Sequence, residues 1–483
     1  MARSDRRSSF RDAAVVVAAK ALVSSLVLAG GFRALSDDDY ARVVIAQRFA
    51  ESPSLDPSGT SWLPFPFWLN GSAMLLLGPS VETAQVLAFA LGLGSALAVW
   101  VALRWLGAGR PGALLGALVA SVFPYSAWLG VAAVPELPSA ALCLLGMASL
   151  ARGGRARLAG AVALSAACLC RYEAWPVAAV FALFCLRDAW RDRTAARLGP
   201  ALLGLAGPVA WLVNGAFRHG SALFFVKRVS EYRRAVGAGS SDVWQALLGF
   251  PSMLARCEPE LFAFALVAVA AALVLGVRSV LVRHARVLLA LAAVLAFLVV
   301  GDLRDGAPTH HGERALLALW LGLAALGGDA LAEAWWRARG PARAALVALP
   351  GLITAPMAGV VRPWYGQRDA FIDRSAELAM GRVAARAAAP SGRLLIDSED
   401  FGFYAVMAGF AAPSRSEPVD DRDPRKPRLD ISSSPAALRA RLEESRADWL
   451  VVGAERRALA ERLGVLERDG GQLLLVRLTR TDR

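Results

Sequence analysis

Long apolar runs separated by short polar segments occupy the first three quarters of the chain. Runs long enough to cross about 30 Å of hydrocarbon recur through residue 361. They lie near 13–32, 82–103, 112–132, 137–151, 157–171, 174–188, 198–216, 260–278, 286–301, 315–334 and 343–361. This pattern predicts an all-α polytopic membrane protein with about eleven transmembrane helices. The first run follows basic residues but lacks a small-residue cleavage site, so it reads as a retained anchor. From 362 the pattern changes. Arg393-Leu-Leu-Ile-Asp397, Asp448-Trp-Leu-Val-Val452 and Gln472-Leu-Leu-Leu-Val-Arg-Leu478 read as short strands. Ser434 before Pro435 starts a helix to about Ser445, and a second helix covers about 455–463. The Pro- and Asp-rich stretch 413–430 reads as a charged, mobile loop. Two domains follow: a transmembrane domain over 1–361, with outer loops 33–81, 217–259 and 302–314, and a small soluble α/β domain over 362–483.

Composition supports this reading. The 483 residues are 56% apolar and only 19% charged, and mean hydropathy is +0.46. That excludes a soluble enzyme, a disordered chain and a disulfide scaffold. The five cysteines lie mostly inside apolar runs and show no metal-ligand spacing, so they read as core residues. The formal net charge is nevertheless +13 and the isoelectric point about 10.3, figures that first point to nucleic acid. The placement of the charge argues otherwise. With a cytoplasmic N-terminus, every second connection is short and basic: Arg3, Arg6, Arg7 and Arg11; Arg104 and Arg110; Arg152, Arg155 and Arg157; Arg187, Arg191, Arg193 and Arg197; Arg278, Arg283 and Arg286; Arg337, Arg339 and Arg343. Only Asp5, Asp12, Asp188 and Asp192 oppose them. The positive-inside rule then makes the basic excess an orientation signal, with the C-terminal domain on the outer face of a bacterial-type inner or plasma membrane. No nucleic-acid partner is expected.

The other set of connections holds the acidic clusters and most of the unusual residues, which favours chemistry at the outer surface. Ser36-Asp37-Asp38-Asp39-Tyr40 follows the first span directly. Three aspartates exceed what a helix cap needs, and a carboxylate there can accept a proton from an acceptor hydroxyl. The following residues, Tyr40 to Ala50, read as an amphipathic helix lying on the membrane. Ser61-Trp-Leu-Pro-Phe-Pro-Phe-Trp68 reads as an interfacial element, a wall for a lipid chain or sugar ring. Glu136 stands between Pro135 and Pro138 at the outer start of a span, a second carboxylate able to position acceptor or sugar. Arg171 lies near the membrane boundary, two residues from Glu173, where it can hold a lipid phosphate or pair with that glutamate. His310, His311, Glu313 and Arg314 form the densest polar cluster. Adjacent histidines point apart on most backbones, so a shared zinc is not expected; histidine and arginine together can neutralise a departing phosphate. Lys227 and Arg228, beside Phe224 and Phe225, make a surface for anionic headgroups. No cofactor is implied beyond the possibility of a divalent cation on the carboxylates.

The acidic motif in the first outer loop (Asp37-Asp38-Asp39-Tyr40), the helix after it, the many spans and the later His311-Gly-Glu313-Arg314 motif resemble the GT-C superfamily of integral-membrane glycosyltransferases. That superfamily covers protein O-mannosyltransferases, aminoarabinose transferases and dolichol-linked mannosyltransferases. The mannosyltransferases carry an aromatic residue after the motif arginine, where this chain has Ala315. The resemblance implies transfer of a sugar from a polyprenyl-phosphate donor to a lipid, glycan or protein acceptor. In the expected inverting reaction Asp37 or Asp38 is the general base. Asp39, Tyr40 and Glu136 position acceptor or sugar, and Arg171, His310, His311, Arg314, Lys227 and Arg228 hold the donor phosphate. The alternative is a transporter or flippase of lipid-linked glycan or anionic solute. It requires charged residues along a path through spans that read as nearly charge-free.

Overall fold

In a computed structural model of the chain, residues 3–237, 241–306, 308, 311–349, 351, 371–398, 400–426 and 435–479 are described. Among the described residues five helices are long and apolar enough to cross a membrane: Ser8–Ala29, Val81–Leu106, Ala195–His219, Ser279–Leu303 and Gly312–Arg337. A sixth candidate, Val243–Cys257 followed by Pro259–Val274, is bent by 92°. Where eleven spans were expected, three of the remaining runs form shorter helices. The 112–132 run breaks at Phe123–Pro124 into Arg110–Val122 and Pro124–Leu129, because proline cannot donate the ladder hydrogen bond and restrains the residue before it. Glu136–Ser149 and Gly154–Cys168, with 14 and 15 residues, rise only about 21–23 Å. The run 343–361 lies partly outside the described residues.

The chain divides into two compact units, and the division is not a single cut near 361. One unit comprises residues 1–32, 60–65 and 88–368; the other comprises 33–59, 66–87 and 369–483. In the first unit, small residues let helices approach closely. A Cβ on Gly328 would collide with the Gly116 backbone where the Gly312–Arg337 and Arg110–Val122 segments cross. Buried charges within the spans correct the expectation of nearly charge-free helices. Lys20 is fully buried and donates to the Ser126 carbonyl at 2.6 Å. His284 and Asp329 are buried and paired at 3.1 Å, with Arg283 at 3.3 Å from the same carboxylate.

The second unit carries a five-stranded sheet: β1 (Leu394–Ile396), β2 (Ser416–Pro418), β3 (Trp449–Gly453), β4 (Gly464–Asp469) and β5 (Leu473–Leu478), in the order β2-β1-β3-β5-β4. β1 runs parallel to β2 and β3, and β5 pairs antiparallel with β3 and β4. The expected strands are β1, β3 and β5. β2 falls inside the stretch expected to be a mobile loop, which is thereby corrected over 416–418; Pro418 suits the edge it occupies. Residues 427–430 of that stretch lie outside those described. Leu395, Leu450, Val452, Leu474 and Val476 face Leu438, Leu442 and Ala460 of the flanking helices and form the core. Two helices with no predicted counterpart, Ser375–Ala387 and Phe403–Phe410, cross so closely that a Cβ on Gly381 would strike the Val406 carbonyl.

The Asp37–Glu51 helix belongs to this second unit, and its burial contradicts the expected membrane-surface helix. Every residue from Asp39 to Gln47 is buried. The Gln47 amide donates to the Ala408 carbonyl at 2.9 Å and to the Pro79 carbonyl at 3.0 Å. Glu51 accepts from the Ser414 N–H at 3.1 Å. Such contacts replace the water a surface helix would keep.

Candidate active site

Two charged constellations hold most of the residues singled out in the sequence, one in each unit. In the second unit the three aspartates have three different environments. Asp39 is buried and closes the helix N-terminus, accepting the Ser36 N–H at 3.2 Å in a capping box. Asp37 accepts two hydrogen bonds from one guanidinium, Arg374 Nε at 2.9 Å and Arg374 Nη2 at 3.1 Å. Asp38 is exposed. Arg374 also donates to Glu377 at 2.9 Å and to Asp400 at 2.7 Å. Burial alone would lower the Arg374 guanidinium, but the bonds to Asp37 and Asp400 outweigh it and hold the group above its ordinary range. Burial pushes the Asp400 carboxyl up, yet the Gly402 N–H and Arg374 more than reverse that and leave it below the usual carboxylate value. Burial, reinforced by Asp39, Asp373, Glu377 and Asp37, pushes the Tyr40 hydroxyl well above its usual value, so it stays protonated.

In the first unit Glu136, Arg171 and Arg314 come together around a shallow cleft of about 20 Å³ that is open to solvent and also lined by Ser139, Cys143 and Glu173. Glu136 begins the Glu136–Ser149 helix. Arg171 sits in the turn between the Gly154–Cys168 and Ala174–Arg191 helices. Its Nε and Nη2 reach the two oxygens of Glu173 at 3.1 and 2.7 Å, and its Nη1 reaches Glu136 at 2.9 Å. The Glu136 side chain is 2% exposed. Arg314 is buried in the short turn Gly312–Leu316. Aromatic packing braces the Arg171 turn. Tyr172 donates to the Ser61 carbonyl at 2.8 Å, accepts from Trp211 Nε1 at 3.0 Å, and stacks on Phe225 at 4.5 Å. Leu63, from the aromatic segment before the second span, is buried in the same cluster with Trp211 and Phe225.

The remaining candidates lie apart from the described lining of this cleft. His311, in a left-handed backbone conformation, pairs with Glu313 at 3.2 Å. His310 lies outside the described residues. Lys227 is exposed beside Glu231 at 3.8 Å, and Arg228 lies on the same helix, Phe224–Ala235. Among the described residues no group of three or more His, Cys, Asp or Glu side chains could hold a metal ion. Arg374, Glu377 and Asp400 had no signal in the sequence beyond the Arg374/Glu377 spacing of three on a helix.

No protein-family model and no curated protein matches the sequence. Solved structures do match the fold. ArnT from Cupriavidus metallidurans bound to undecaprenyl phosphate superposes with a TM-score of 0.61 at 14% identity, covering 98% of each chain. ArnT of the same organism in the apo state gives 0.60 at 15% identity, covering 97% of this chain and 98% of that one. The apo oligosaccharyltransferase of Archaeoglobus fulgidus gives 0.53 at 12% identity, covering 92% of this chain and 70% of that one. The chain therefore shares the fold of these structures, with helices long and apolar enough to cross a membrane and a small C-terminal sheet.

Proposed function

We propose that the chain transfers a sugar from a polyprenyl-phosphate donor to an acceptor hydroxyl at the outer membrane face, with inversion at the anomeric carbon. The observation that carries this reading is the Arg171–Arg314 cleft in a fold that, in one ArnT structure, holds undecaprenyl phosphate. Asp38 is the base, since Asp37 is engaged by Arg374 and Asp39 by its helix cap. The acceptor oxygen attacks the anomeric carbon, and its proton passes to the Asp38 carboxylate. The bond from that carbon to the phosphate oxygen breaks, and its electron pair leaves with the polyprenyl phosphate. The phosphate gains negative charge in this step, so Arg171 and Arg314 favour the transition state over the bound donor. Glu136 and Glu173 balance Arg171 in the cleft, and Glu136 is the group we assign to orient a sugar hydroxyl. His311, Lys227 and Arg228 bring basic charge to loop and surface segments, suited to anionic headgroups rather than to the cleft itself. Of the buried charges in the spans, Asp329 is paired with His284 and Arg283, and Lys20 donates to the Ser126 carbonyl.

The test is equilibrium binding of undecaprenyl phosphate to the full-length protein in nanodiscs. Arg314→Gln and Arg171→Gln should each weaken binding by at least about tenfold, the scale of one lost charge-assisted hydrogen bond. Equal binding by the wild type and the double variant would remove the cleft from the donor site.

A further inference from the structure

We infer that Arg374, braced by Glu377 and Asp400, is a positioning residue for the acidic start of the Asp37–Glu51 helix. The inference rests on the transferase reading above and deepens it.

The geometry is that of a clamp. The planar guanidinium meets both Asp37 oxygens in a fork, an arrangement that fixes orientation as well as distance. Its other contacts, to Glu377 and Asp400, fix the guanidinium in turn. Asp400 is held by the Gly402 N–H at 2.8 Å. The cluster leaves no slack: a Cβ on Gly402 would lie 2.9 Å from Asp400 Oδ1 and 3.1 Å from both Arg374 Nη1 and Glu377 Oε1. The Asp37–Glu51 helix is further tied down by the Gln47 bond to Ala408. A helix start held on this many sides presents its next residue, Asp38, on a fixed backbone.

The charge balance separates this role from ordinary stapling. The Arg374 guanidinium meets Asp37, Glu377 and Asp400, and Asp38, next to Asp37 in the chain, is exposed. Here a single guanidinium holds three carboxylates, so its loss alters the charge balance at the acidic helix start.

The experiment measures release of undecaprenyl phosphate from undecaprenyl-phosphate-linked sugars by the full-length protein in proteoliposomes, across pH. Arg374→Gln should lower turnover at least tenfold, while undecaprenyl phosphate affinity stays within twofold. The acid limb of its rate profile should move to higher pH, because a cation that favours the carboxylate form has gone. Arg374→Lys should recover part of the turnover. Asp400→Asn keeps the clamp but removes a negative charge, so its acid limb should move the opposite way, to lower pH. Should Arg374→Gln fail to fold, the Asp400→Asn shift alone decides. Unmoved acid limbs, with or without loss of turnover, would overturn the proposal and leave Arg374 a structural staple. A wild-type protein that turns over none of the donors would instead sink the transferase reading, and the positioning role with it.

Discussion

Arg171 joins two glutamates, one of them two residues away in sequence and the other 35. Arg374 joins three carboxylates, and the one that matters most, Asp37, is 337 residues away. Both clusters use the charge-assisted chemistry of guanidinium and carboxylate. The first pair is written locally, in a turn whose neighbours lie on adjacent helices. The second exists only because the tail folds with the first loop. The first cluster surrounds a cleft with two arginines, as an anion site requires. The second puts one guanidinium among three carboxylates, in the same unit as the exposed Asp38. On the proposed reading, the first site receives negative charge and the second receives a proton.

The largest effect should come from the acidic loop. Asp38→Asn should reduce transfer by roughly 10²–10⁴-fold, the worth of a general base, in a rate assay with donor affinity intact. Asp37→Asn should cost less, since it loosens the clamp without removing the base. Equal losses would erase the division of labour among the three aspartates. In the first unit, Arg171→Gln takes a 2.9 Å partner from the buried Glu136. A loss of about 3 kcal/mol in unfolding free energy is expected, read by denaturant titration in detergent.

A smaller effect tests the packing beneath the clamp. Gly381→Ala should destabilise the second unit by about 1–3 kcal/mol, because the Val406 carbonyl occupies the space of the new methyl group. Limited proteolysis of the tail would report it. The smallest effect is acid sensitivity. The Asp400 carboxyl is held below its ordinary value in the folded protein. Its stabilisation is therefore fully present above the unfolded aspartate value of about 3.9 and is lost as pH falls through the lower folded value. Melting temperatures of the wild type should drop below about pH 4, and those of Asp400→Asn should drop less.

Much of the architecture was legible because it follows from local pattern. Apolar length gave the helices Ser8–Ala29, Val81–Leu106 and Ser279–Leu303, and continuous apolar runs gave β1, β3 and β5. Pairs close in sequence were legible too: Arg171 with Glu173, and His311 with Glu313. Tertiary context was not. The Asp37–Glu51 segment has polar and apolar residues in an order that suits a membrane surface. It is buried instead, because Gln47 and Glu51 find partners beyond residue 400. β4, with its alternating exposed charges, needed β5 beside it to be seen as a strand. Arg374 looked like one more arginine among many, and only the fold gives it Asp37.

The most direct test of the account is to supply undecaprenyl-phosphate-linked sugars to proteoliposomes containing the wild-type protein and follow the lipid product with time. The account predicts release of undecaprenyl phosphate that depends on an acceptor and is abolished by Asp38→Asn. Movement of intact donor between leaflets, with no undecaprenyl phosphate released, would contradict it and identify a transporter.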